Sequence, residues 1–445
     1  MAKSKSKKIM LEDALVPVDE QPYQIPENWC WTFLANVADW GSGGTPSRKN
    51  PDYYGGYIPW IKTGELEDGY IFDSEEKITE DAVAHSSAKL FPIDSVLIAM
   101  YGATIGKTAI LGIPATTNQA CACARCRDIL NNKYLFYYLR SQKDTFIAKG
   151  KGGAQPNISQ DIIRNHMIPL PPLAEQKRIV EQIESLFTKL DEAKEKTLSV
   201  VESFELREKA IYKKAFEGDL TNSWRAENGI NISEWEEIPF EKLGKLERGR
   251  SKHRPRNDKR LFGGKYPFIQ TGDVAGAGMY VTSHKQTLSE FGFEQSRMFP
   301  KGTLCITIAA NIGDAAILSY DCCFPDSVVG FTPGEKCLNK YMYFYLQEIK
   351  AELEYIAPAT AQKNLNLKLL GKVEIKVPSL KEQEKIVEIL EKQINDQENI
   401  VEKAENVIET IDVMKKSILA KAFRGELGTN IETEESAIKL LKSIF

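Results

Sequence analysis

The sequence predicts an α/β (α+β) protein in which two modules of similar design alternate with two long helices. Three observations support this fold class: an internal repeat, short β-rich runs separated by glycine and proline, and two stretches with heptad spacing. We expect the two helices to pack as an antiparallel coiled coil, with a pseudo-twofold axis relating the two halves of the chain.

The internal repeat is an ungapped match at an offset of 207 residues. Residues 168–221 align with residues 375–428, and 20 of these 54 positions are identical. Looser matches precede it, such as "IPWIKTGEL" from Ile58 with "YPFIQTGDV" from Tyr266, and "NKYLFYYLRSQ" from Asn132 with "NKYMYFYLQEI" from Asn339. The chain is therefore predicted to be a tandem duplication.

The repeat also divides the chain into segments. We expect a basic N-terminal tail (1–23), a first module (24–170), a first long helix (171–220), a linker (221–231), a second module (232–377), a second long helix (378–428) and a C-terminal tail (429–445). The last segment is expected to contain a small helix that docks on a partner or on the first module. Each module has the size of one domain.

The two long helices carry apolar residues at alternating spacings of three and four. Both begin after proline and end at a glycine, Gly218 or Gly425, as helix boundaries do. The alternative, that each helix covers only its own module, stays open. The residues expected to pack between the helices are Ile179, Ile183, Leu186, Leu190, Val200, Phe204, Ile211, Ile386, Leu390, Ile400, Val407, Ile411 and Ile418.

Composition argues against a uniformly basic protein and against a membrane or secreted protein. The net charge is −4, so the protein is not basic overall, and no run approaches eighteen apolar residues. Since the N-terminus also lacks a signal-peptide core, we expect a cytoplasmic protein without membrane contact. The eight cysteines are irregularly spaced. The motif Cys121-x-Cys123-x-x-Cys126 could bind zinc, but its alternation of small residues is more typical of a packed strand, and we expect no metal.

The stretch "YGATIGKTAI", Tyr101 to Ile110, raises the possibility of a phosphate-binding loop. Only three residues separate Gly102 from Gly106-Lys107-Thr108, one fewer than this motif requires. A short β-type run follows where a helix should begin. The stretch is instead interpreted as a loop that presents polar groups or as a tight turn between strands.

Several motifs together resemble one protein family. The "PL..EQ..IV" start and the "AF.G.L" end of each long helix, with the module "GGTPSR…IPWIKTGEL…YGATIGK", resemble the specificity subunit of type I restriction-modification systems. The resemblance covers roughly residues 24 to 428. It implies two target-recognition domains that each read one half of a bipartite double-stranded DNA sequence, with the helices as a spacer.

The resemblance also implies partners. Two modification subunits would bind S-adenosylmethionine and methylate adenine at N6, and restriction subunits can join for ATP-dependent cleavage. We expect no cofactor on this chain and no catalysis by it. It lacks an Asn/Asp-Pro-Pro-aromatic motif, since "LPPL" at Leu170 has neither the polar nor the aromatic residue.

Candidate DNA-binding residues lie in glycine-rich or basic loops, where side chains can reach base edges or phosphates. A plain surface turn is the alternative for each loop. In the first module the candidates are Thr45, Ser47, Arg48, Lys49, Lys62, Thr63, Tyr101, Thr104, Lys107, Lys149, Lys151 and Gln155. In the second module they are Arg248, Arg250, Lys252, His253, Arg254, Arg256, Lys265, Gln270, Thr271, Gln362 and Lys363.

The second module has the strongest charge signal. Residues 248–265 contain eight lysines and arginines against the single acid Asp258, which is typical of nucleic-acid contact in an otherwise acidic protein. Three functions remain in competition: a non-catalytic DNA-reading subunit, a self-sufficient methyltransferase or NTPase, and a coiled-coil adaptor that binds only proteins.

Overall fold

The computed structural model describes residues 10–150, 157–357 and 365–445. It consists of two compact units, unit 1 (residues 1–196 and 406–445) and unit 2 (residues 197–405). Each unit contains one module and part of both long helices. The α/β fold class with repeated modules is confirmed.

The module of unit 1 is built on three small sheets. Its helices are α1 (Leu11–Ala14), α2 (Leu34–Val37), α3 (Glu80–His85), α4 (Asn132–Ser141), α5 (Lys143–Lys149) and α6 (Gln160–Arg164). Its strands are β1 (Cys30–Phe33), β2 (Ala38–Ser42), β3 (Tyr54–Ile61), β4 (Tyr70–Ile71), β5 (Lys77–Ile78), β6 (Leu90–Phe91), β7 (Val96–Ala99), β8 (Thr108–Leu111), β9 (Ala115–Thr117), β10 (Cys121–Cys126) and β11 (Met167–Leu170). The sheet orders are β1-β11, β2-β10-β7-β8-β4 and β5-β3-β9-β6.

The first long helix, α7, spans Leu173–Phe216 and is followed by the module of unit 2. The helices of this module are α8 (Asn222–Asn228), α9 (Phe240–Leu243), α10 (Thr271–Ala275), α11 (Glu290–Glu294), α12 (Asn339–Glu348), α13 (Lys350–Ile356) and α14 (Leu367–Gly371). Its strands are β12 (Glu236–Pro239), β13 (Gly244–Arg248), β14 (Phe262–Phe268), β15 (Tyr280–Val281), β16 (Gln286–Leu288), β17 (Met298–Phe299), β18 (Leu304–Thr307), β19 (Ala315–Leu318), β20 (Cys322–Cys323), β21 (Val328–Pro333) and β22 (Glu374–Val377).

Unit 2 repeats the sheet plan of unit 1. Its sheet orders are β12-β22, β13-β21-β18-β19-β15 and β16-β14-β20-β17. The parallel pairs also recur, with β3–β9 and β4–β8 in unit 1 matching β14–β20 and β15–β19 in unit 2. The chain ends with the second long helix, α15 (Leu380–Ala422), and a short helix, α16 (Ala437–Lys442).

The two long helices run antiparallel where they meet. In unit 1, Asp191 of α7 pairs with Lys415 of α15, and the Lys194 Nζ lies 3.1 Å from the Asp412 Oδ1, so the numbers rise along one helix as they fall along the other. In unit 2, burial and the carboxylates of Glu208 and Glu398 raise the pKa of Tyr212.

These facing positions are related by the repeat. Moving Asp191 and Lys415 by the offset of 207 residues gives Glu398 and Glu208, which both lie near Tyr212 in unit 2. The duplication therefore extends to the pairing of the helices. The charges differ, however. Asp191 and Lys415 form a salt bridge in unit 1, whereas the equivalent residues of unit 2, Glu398 and Glu208, are both acidic.

The predicted packing positions are buried to different degrees. Ile179, Ile183, Phe204, Ile386, Leu390 and Ile411 are buried, and Leu186, Leu190, Ile211 and Ile418 are half-buried. Val200, Ile400 and Val407 are 40%, 45% and 46% exposed, which contradicts their assignment to the packed seam. They lie beyond the stretches that the modules cover, and two helices alone cannot enclose a whole apolar stripe.

A repeated Glu-Gln pair begins each long helix and is fully buried. The Gln176 amide donates to the carbonyl oxygens of Ile129 and Pro171, both at 3.0 Å, and accepts from the backbone N–H of Asn131 at 2.8 Å. The Gln383 amide makes the equivalent three bonds to Lys336, Pro378 and Leu338. The "EQ" of the repeat motif is therefore a tie between the helix and its own module.

The two glutamates of this motif have different partners. Glu175 accepts hydrogen bonds from the Trp29 indole at 2.7 Å and the Asn430 amide at 2.8 Å. Glu382 accepts from the Arg225 guanidinium at 2.5 Å, and the two side chains are 1% and 4% exposed. The buried carboxylate thus has a cationic partner in unit 2 and neutral donors in unit 1.

Two segments predicted to be a tail or a linker are part of the fold. Ala14 and Val16, placed in an N-terminal tail by the sequence, are buried in unit 1, because Leu15 pairs with Thr32 beside β1. The predicted linker contains α8, whose Arg225 is held by Glu382. Residues 1–9 lie outside the described part of the chain.

The C-terminal segment docks on unit 1. Ala437 and Leu441 of α16 join the main apolar cluster of that unit. The Arg178 guanidinium of α7 forms two 2.8 Å bonds with the Glu434 carboxylate. Of the two sites expected for this segment, the structure shows the one on the first module.

Glu175 makes the stability of unit 1 depend on pH. Burial raises the pKa of Glu175 above its ordinary value, although the hydrogen bonds from Trp29 and Asn430 oppose this. The folded state therefore binds a proton at a higher pH than the unfolded chain does, and this group adds stability as pH falls through its folded pKa. In urea unfolding, we expect the wild type to gain stability relative to Glu175→Gln as pH falls from neutral towards the ordinary glutamate pKa of about 4.5. Parallel pH profiles for the two proteins would contradict this.

Within the described residues, no helix is both long enough and apolar enough to cross a bilayer.

Candidate nucleic-acid interface

The first candidate loop of unit 1 follows β2 and packs tightly at its glycines. The Trp60 indole donates to the Gly44 carbonyl oxygen at 3.0 Å. A Cβ at Gly44 would lie 2.2 Å from the carbonyl oxygen of Ser87, so no side chain fits there. This close approach fixes the backbone at Gly44 and therefore the point from which the following residues, Thr45 to Lys49, extend.

Arg48 and Lys62 converge on one carboxylate. The Arg48 guanidinium pairs with both oxygens of Glu76, and the Lys62 Nζ lies 3.4 Å from Glu76 and 3.7 Å from Glu75. Arg48 lowers the pKa of Glu76 below its ordinary value. Two candidates that are 14 residues apart in sequence are thus brought together, but their charge is partly neutralised.

Arg48 also lies on an aromatic pair. Its guanidinium carbon is 4.2 Å from the centre of the Tyr54 ring and 5.3 Å from that of Trp60. The two rings meet edge to face with their centres 6.1 Å apart. Stacking of this kind holds a planar cation in place.

The stretch from Tyr101 to Lys107 connects β7 to β8. Gly102 and Gly106 have φ of +65° and +78°, and the Thr104 hydroxyl donates to the Tyr101 carbonyl oxygen at 2.8 Å. Strand β8 begins directly afterwards at Thr108, where a phosphate-binding loop would have a helix. The stretch is therefore a glycine-shaped connection between two strands and not a phosphate-binding loop, and the presentation of its polar groups to DNA stays a prediction.

The other candidate loop of unit 1 is only partly described. The Lys149 Nζ is 3.2 Å from the Nδ1 of His166, whose pKa is lowered to about 4 by burial and by Lys149. Lys151 and Gln155 lie outside the described residues, as do Gln362 and Lys363 in the second module. Asn157, just after this gap, forms an antiparallel β-bridge with Tyr101.

The basic loop of unit 2 contains several local ion pairs. Asp258 contacts His253 at 2.9 Å and Arg260 at 2.7 Å, and these partners hold its pKa well below the ordinary value. Asp326 binds the Arg256 guanidinium at 2.8 Å, and its carbonyl oxygen accepts from Arg248. The dense positive charge read from the sequence is thus reduced by acids elsewhere in the fold.

Four cations of this loop, Arg250, Lys252, Arg254 and Lys259, have no acidic partner among the residues that the structure describes. Arg254 donates only to the carbonyl oxygens of Ser251 and His253, at 2.7 and 2.8 Å, and is exposed. Lys252 is exposed, while Arg250 is half-buried. Lys265 is not part of this group, because its Nζ lies 2.9 Å from Glu290. Arg254 and Lys252 are the cations best placed to meet phosphate.

Repeat-equivalent positions carry different chemistry at the same place. Lys62 and Gln270 each precede a short helical turn whose third residue, Glu65 or Asp273, accepts from their backbone N–H at 2.8 Å. Lys62 forms a salt bridge with Glu76 across β3–β5. Gln270 instead donates its amide to the Gln286 Oε1 at 2.7 Å across β14–β16.

The remaining candidates are surface positions without a shared site. Thr45 donates to Gln119, and Ser47 accepts from the backbone N–H of Lys49 at 3.4 Å. Thr63, Lys107 and Thr271 are half-buried. Sequence reasoning looked for residues that could contact DNA, so it missed their partners Glu76, Gln286 and Asp326. The positions of Glu76 and Gln286 follow from strand register.

The cysteines support a packing role. Cys121 and Cys123 lie on β10 within an apolar cluster, and burial raises the pKa of Cys123 and Cys126 to about 12. Zinc binds the thiolate form, which burial disfavours here. The packed-strand interpretation of "ACACAR" agrees with this arrangement. In the described part of the chain, no three His, Cys, Asp or Glu residues are grouped as metal ligands.

Relatives of the chain point to one family. The specificity subunit of the EcoR124I/EcoR124II type I restriction enzyme from Escherichia coli is 32% identical over 164 residues, covering 36% of this chain and 41% of that protein, less than half its length. The EcoKI specificity subunit from Escherichia coli strain K12 is 24% identical and covers 95% of this chain and 96% of its own.

The fold is shared with a solved relative. The HsdS subunit from Thermoanaerobacter tengcongensis has a TM-score of 0.63 at 21% identity, over 92% of this chain and all of that one. A family model described as the type I restriction modification DNA specificity domain matches residues 26–203 and again residues 232–410. Two copies of that domain cover most of the sequence, and the chain therefore belongs to the type I restriction-modification DNA specificity family.

Proposed function

We propose that this chain is the non-catalytic DNA-reading subunit of a type I restriction-modification complex in the cytoplasm. The first module (24–170) and the second module (232–377) each read one half of a bipartite duplex target. The long helices, within residues 171–220 and 378–428, set the distance between the half-sites.

The observation that carries this proposal is the chemical difference at equivalent positions. The Lys62–Glu76 pair of unit 1 is replaced by the Gln270–Gln286 pair of unit 2 on the same strand framework. Lysine and glutamine favour different base edges, since lysine pairs with guanine and glutamine with adenine. A duplicated scaffold with different surface groups suits two half-sites of different sequence.

A coiled-coil adaptor that binds only proteins explains less. It would need the paired helices but not the unpaired cations Lys252 and Arg254 on the basic loop. Membership of the DNA specificity family also favours DNA recognition.

The partners follow from the same proposal. Two modification subunits dock on the chain, bind S-adenosylmethionine and methylate adenine at N6. Restriction subunits join them in hosts that encode such subunits. The chain itself binds no cofactor.

The salt dependence of DNA binding tests this proposal. Methylome sequencing of cells with and without the gene first defines the target duplex, and fluorescence anisotropy then measures binding by the complex with its modification subunits. Because Arg254 lacks an acidic partner in the described structure, Arg254→Met should weaken binding and reduce the slope of log K against log salt by about one.

Lys439→Met is the matched control. Lys439 lies on α16, which contains no candidate DNA-binding residue, and pairs with Glu435 at 3.0 Å. The Lys439→Met substitution removes one positive charge but should leave the slope of log K against log salt unchanged. An unchanged slope for Arg254→Met would remove this residue from the interface, and absence of duplex binding would reject the function.

A further inference from the structure

Unit 2 contains a cavity of about 120 Å³ between the basic loop and strands β14 and β16. Its walls include the cationic or polar side chains of Arg250, His253, Arg256 and Gln270, and the rings of Phe262 and Phe268. No acidic side chain is among its lining residues in the described part of the chain. Arg256 and His253 are paired with Asp326 and Asp258 outside the lining, whereas Arg250 has no acidic partner in the described structure. The cavity is therefore polar, partly aromatic and large enough for more than water.

The corresponding place in unit 1 is filled. The backbone N–H of Gly44 donates to the Thr117 carbonyl oxygen at 2.9 Å, and that of Arg250 donates to the Phe324 carbonyl oxygen at 3.1 Å. Thr117 and Phe324 occupy equivalent positions at the ends of β9 and β20. Arg250 thus stands where unit 1 has a glycine packed directly against Ser87.

The aromatic pair of unit 1 is also repeated in unit 2, but the arginine that lies on it is not. Phe262 and Phe268, the equivalents of Tyr54 and Trp60, have ring centres 6.3 Å apart, against 6.1 Å in unit 1. In unit 1 the Arg48 guanidinium lies on this pair and is held by Glu76. In unit 2 the residue equivalent to Glu76 is Gln286, and no cation of the described residues lies on either phenylalanine.

Two residues that line this cavity, Arg250 and Ser296, each have a buried polar side-chain atom without a hydrogen-bond partner in the described structure. The Nε of Arg250 is buried and makes no hydrogen bond within the described structure. A buried donor without an acceptor is costly, so an acceptor from outside the chain would be favoured here.

We propose that this cavity receives a nucleobase turned out of the bound DNA, which packs against the rings of Phe262 and Phe268 and accepts a hydrogen bond from Arg250. The inference rests on the proposed function and names how the second half-site is read. A base is planar like the Arg48 guanidinium that lies on the aromatic pair of unit 1, has acceptor atoms, and is attached to the phosphates that Lys252 and Arg254 would meet. A free phosphate would leave the aromatic walls unused.

Such a pocket would contribute to specificity. Unstacking a base costs free energy, and stacking on aromatic side chains returns part of it. The fit of the base in the cavity then decides whether the free energy of stacking exceeds the cost of unstacking. One position of the second half-site would therefore be read by the shape of the base and by Arg250 rather than in the DNA groove.

Fluorescent base analogues test this proposal. In duplexes with the target defined by methylome sequencing, 2-aminopurine or pyrrolocytosine replaces one base at a time, because the fluorescence of both rises on unstacking. We expect the complex with its modification subunits to raise the signal at one position of the second half-site. The adenine to be methylated is turned out by the modification subunit itself and serves as an internal control.

Three variants locate the base. Arg250→Met removes the donor, and Ser296→Leu enlarges a buried side chain that lines the cavity. Both should abolish the rise at the second half-site and weaken binding by about tenfold or more, without changing the signal of the methylated adenine. Arg254→Met, outside the cavity on the same loop, should weaken binding but keep the rise.

Three results would overturn the proposal. The first is binding without a rise at any position other than the methylated adenine. The second is a rise that persists in both Arg250→Met and Ser296→Leu. The third is failure of the complex to bind the duplex at all, which would also reject the proposed function, whereas the first two leave that function intact.

Discussion

Glu382→Gln is expected to lower the free energy of unfolding of unit 2 by about 3 kcal/mol or more, because it leaves the Arg225 guanidinium buried without a counter-ion. Both side chains of the pair are almost fully buried, and Glu382 also accepts from Thr221 at 2.7 Å and from the Trp235 indole at 3.0 Å. Urea unfolding of the full chain, followed by tryptophan fluorescence, measures the loss.

The matched variant in unit 1 is Glu175→Gln. Glu175 is held by neutral donors from Trp29 and Asn430, so no buried cation loses its partner, and we expect a cost of about 1 kcal/mol or less. The double variant Arg225→Met with Glu382→Leu should recover much of the loss, since both charges are removed together. Similar losses for Glu175→Gln and Glu382→Gln would show that the ion pair is not what matters.

The large-scale plan was predictable because duplication leaves a direct record in the sequence. The offset of 207 residues relates the Glu175-Gln176 and Glu382-Gln383 pairs, and heptad spacing indicated the long helices. The function of the pair was not predictable, since Gln176 binds Ile129 and Asn131, more than forty residues away. Such partners are set by tertiary packing.

Errors in the helix seam have a simple physical origin. Periodicity shows which residues share a face of a helix, but not how much of that face a partner covers. Val200 and Val407 have the correct spacing and yet are exposed, while Phe187, outside the predicted set, is only 6% exposed. Burial here depends on the modules, whose extent along the helices the spacing does not contain.

The candidate site was predicted in part. Composition located the basic loop of unit 2, but the pairing of Arg256 with Asp326 depends on a contact across 70 residues. The equivalence of Arg250 with Gly44 required the hydrogen-bonding pattern, because the loop sequences themselves are dissimilar. A charge count therefore finds the region, and the fold decides which cations remain unpaired.

The pairing of the helices also permits a length change that preserves their contacts. Asp191 faces Lys415, and Lys194 faces Asp412, with equivalent positions in unit 2. The centre of this pairing lies just after Ser199 in α7 and just after Asn406 in α15. Because the helices are antiparallel, insertions of equal length at both points leave every facing pair unchanged.

We expect a seven-residue heptad inserted after both Ser199 and Asn406 to lengthen the tolerated gap between the half-sites by about three base pairs. Seven residues add about 10 Å of helix, and base pairs are spaced by ~3.4 Å. The bases read in each half-site should not change, because the reading loops lie within the modules. Methylome sequencing of cells that carry the variant measures the gap directly.

An insertion after Ser199 alone is the control that separates length from helix pairing. It adds the same residues to α7 but shifts that helix against α15, so the salt bridge of Asp191 with Lys415 and the proximity of Glu398 to Tyr212 cannot both persist. We expect this variant to lose methylation, whereas the double insertion keeps it at a longer gap. If the double insertion methylates the original motif with its original gap, the helices do not set the spacing, and another part of the complex must do so.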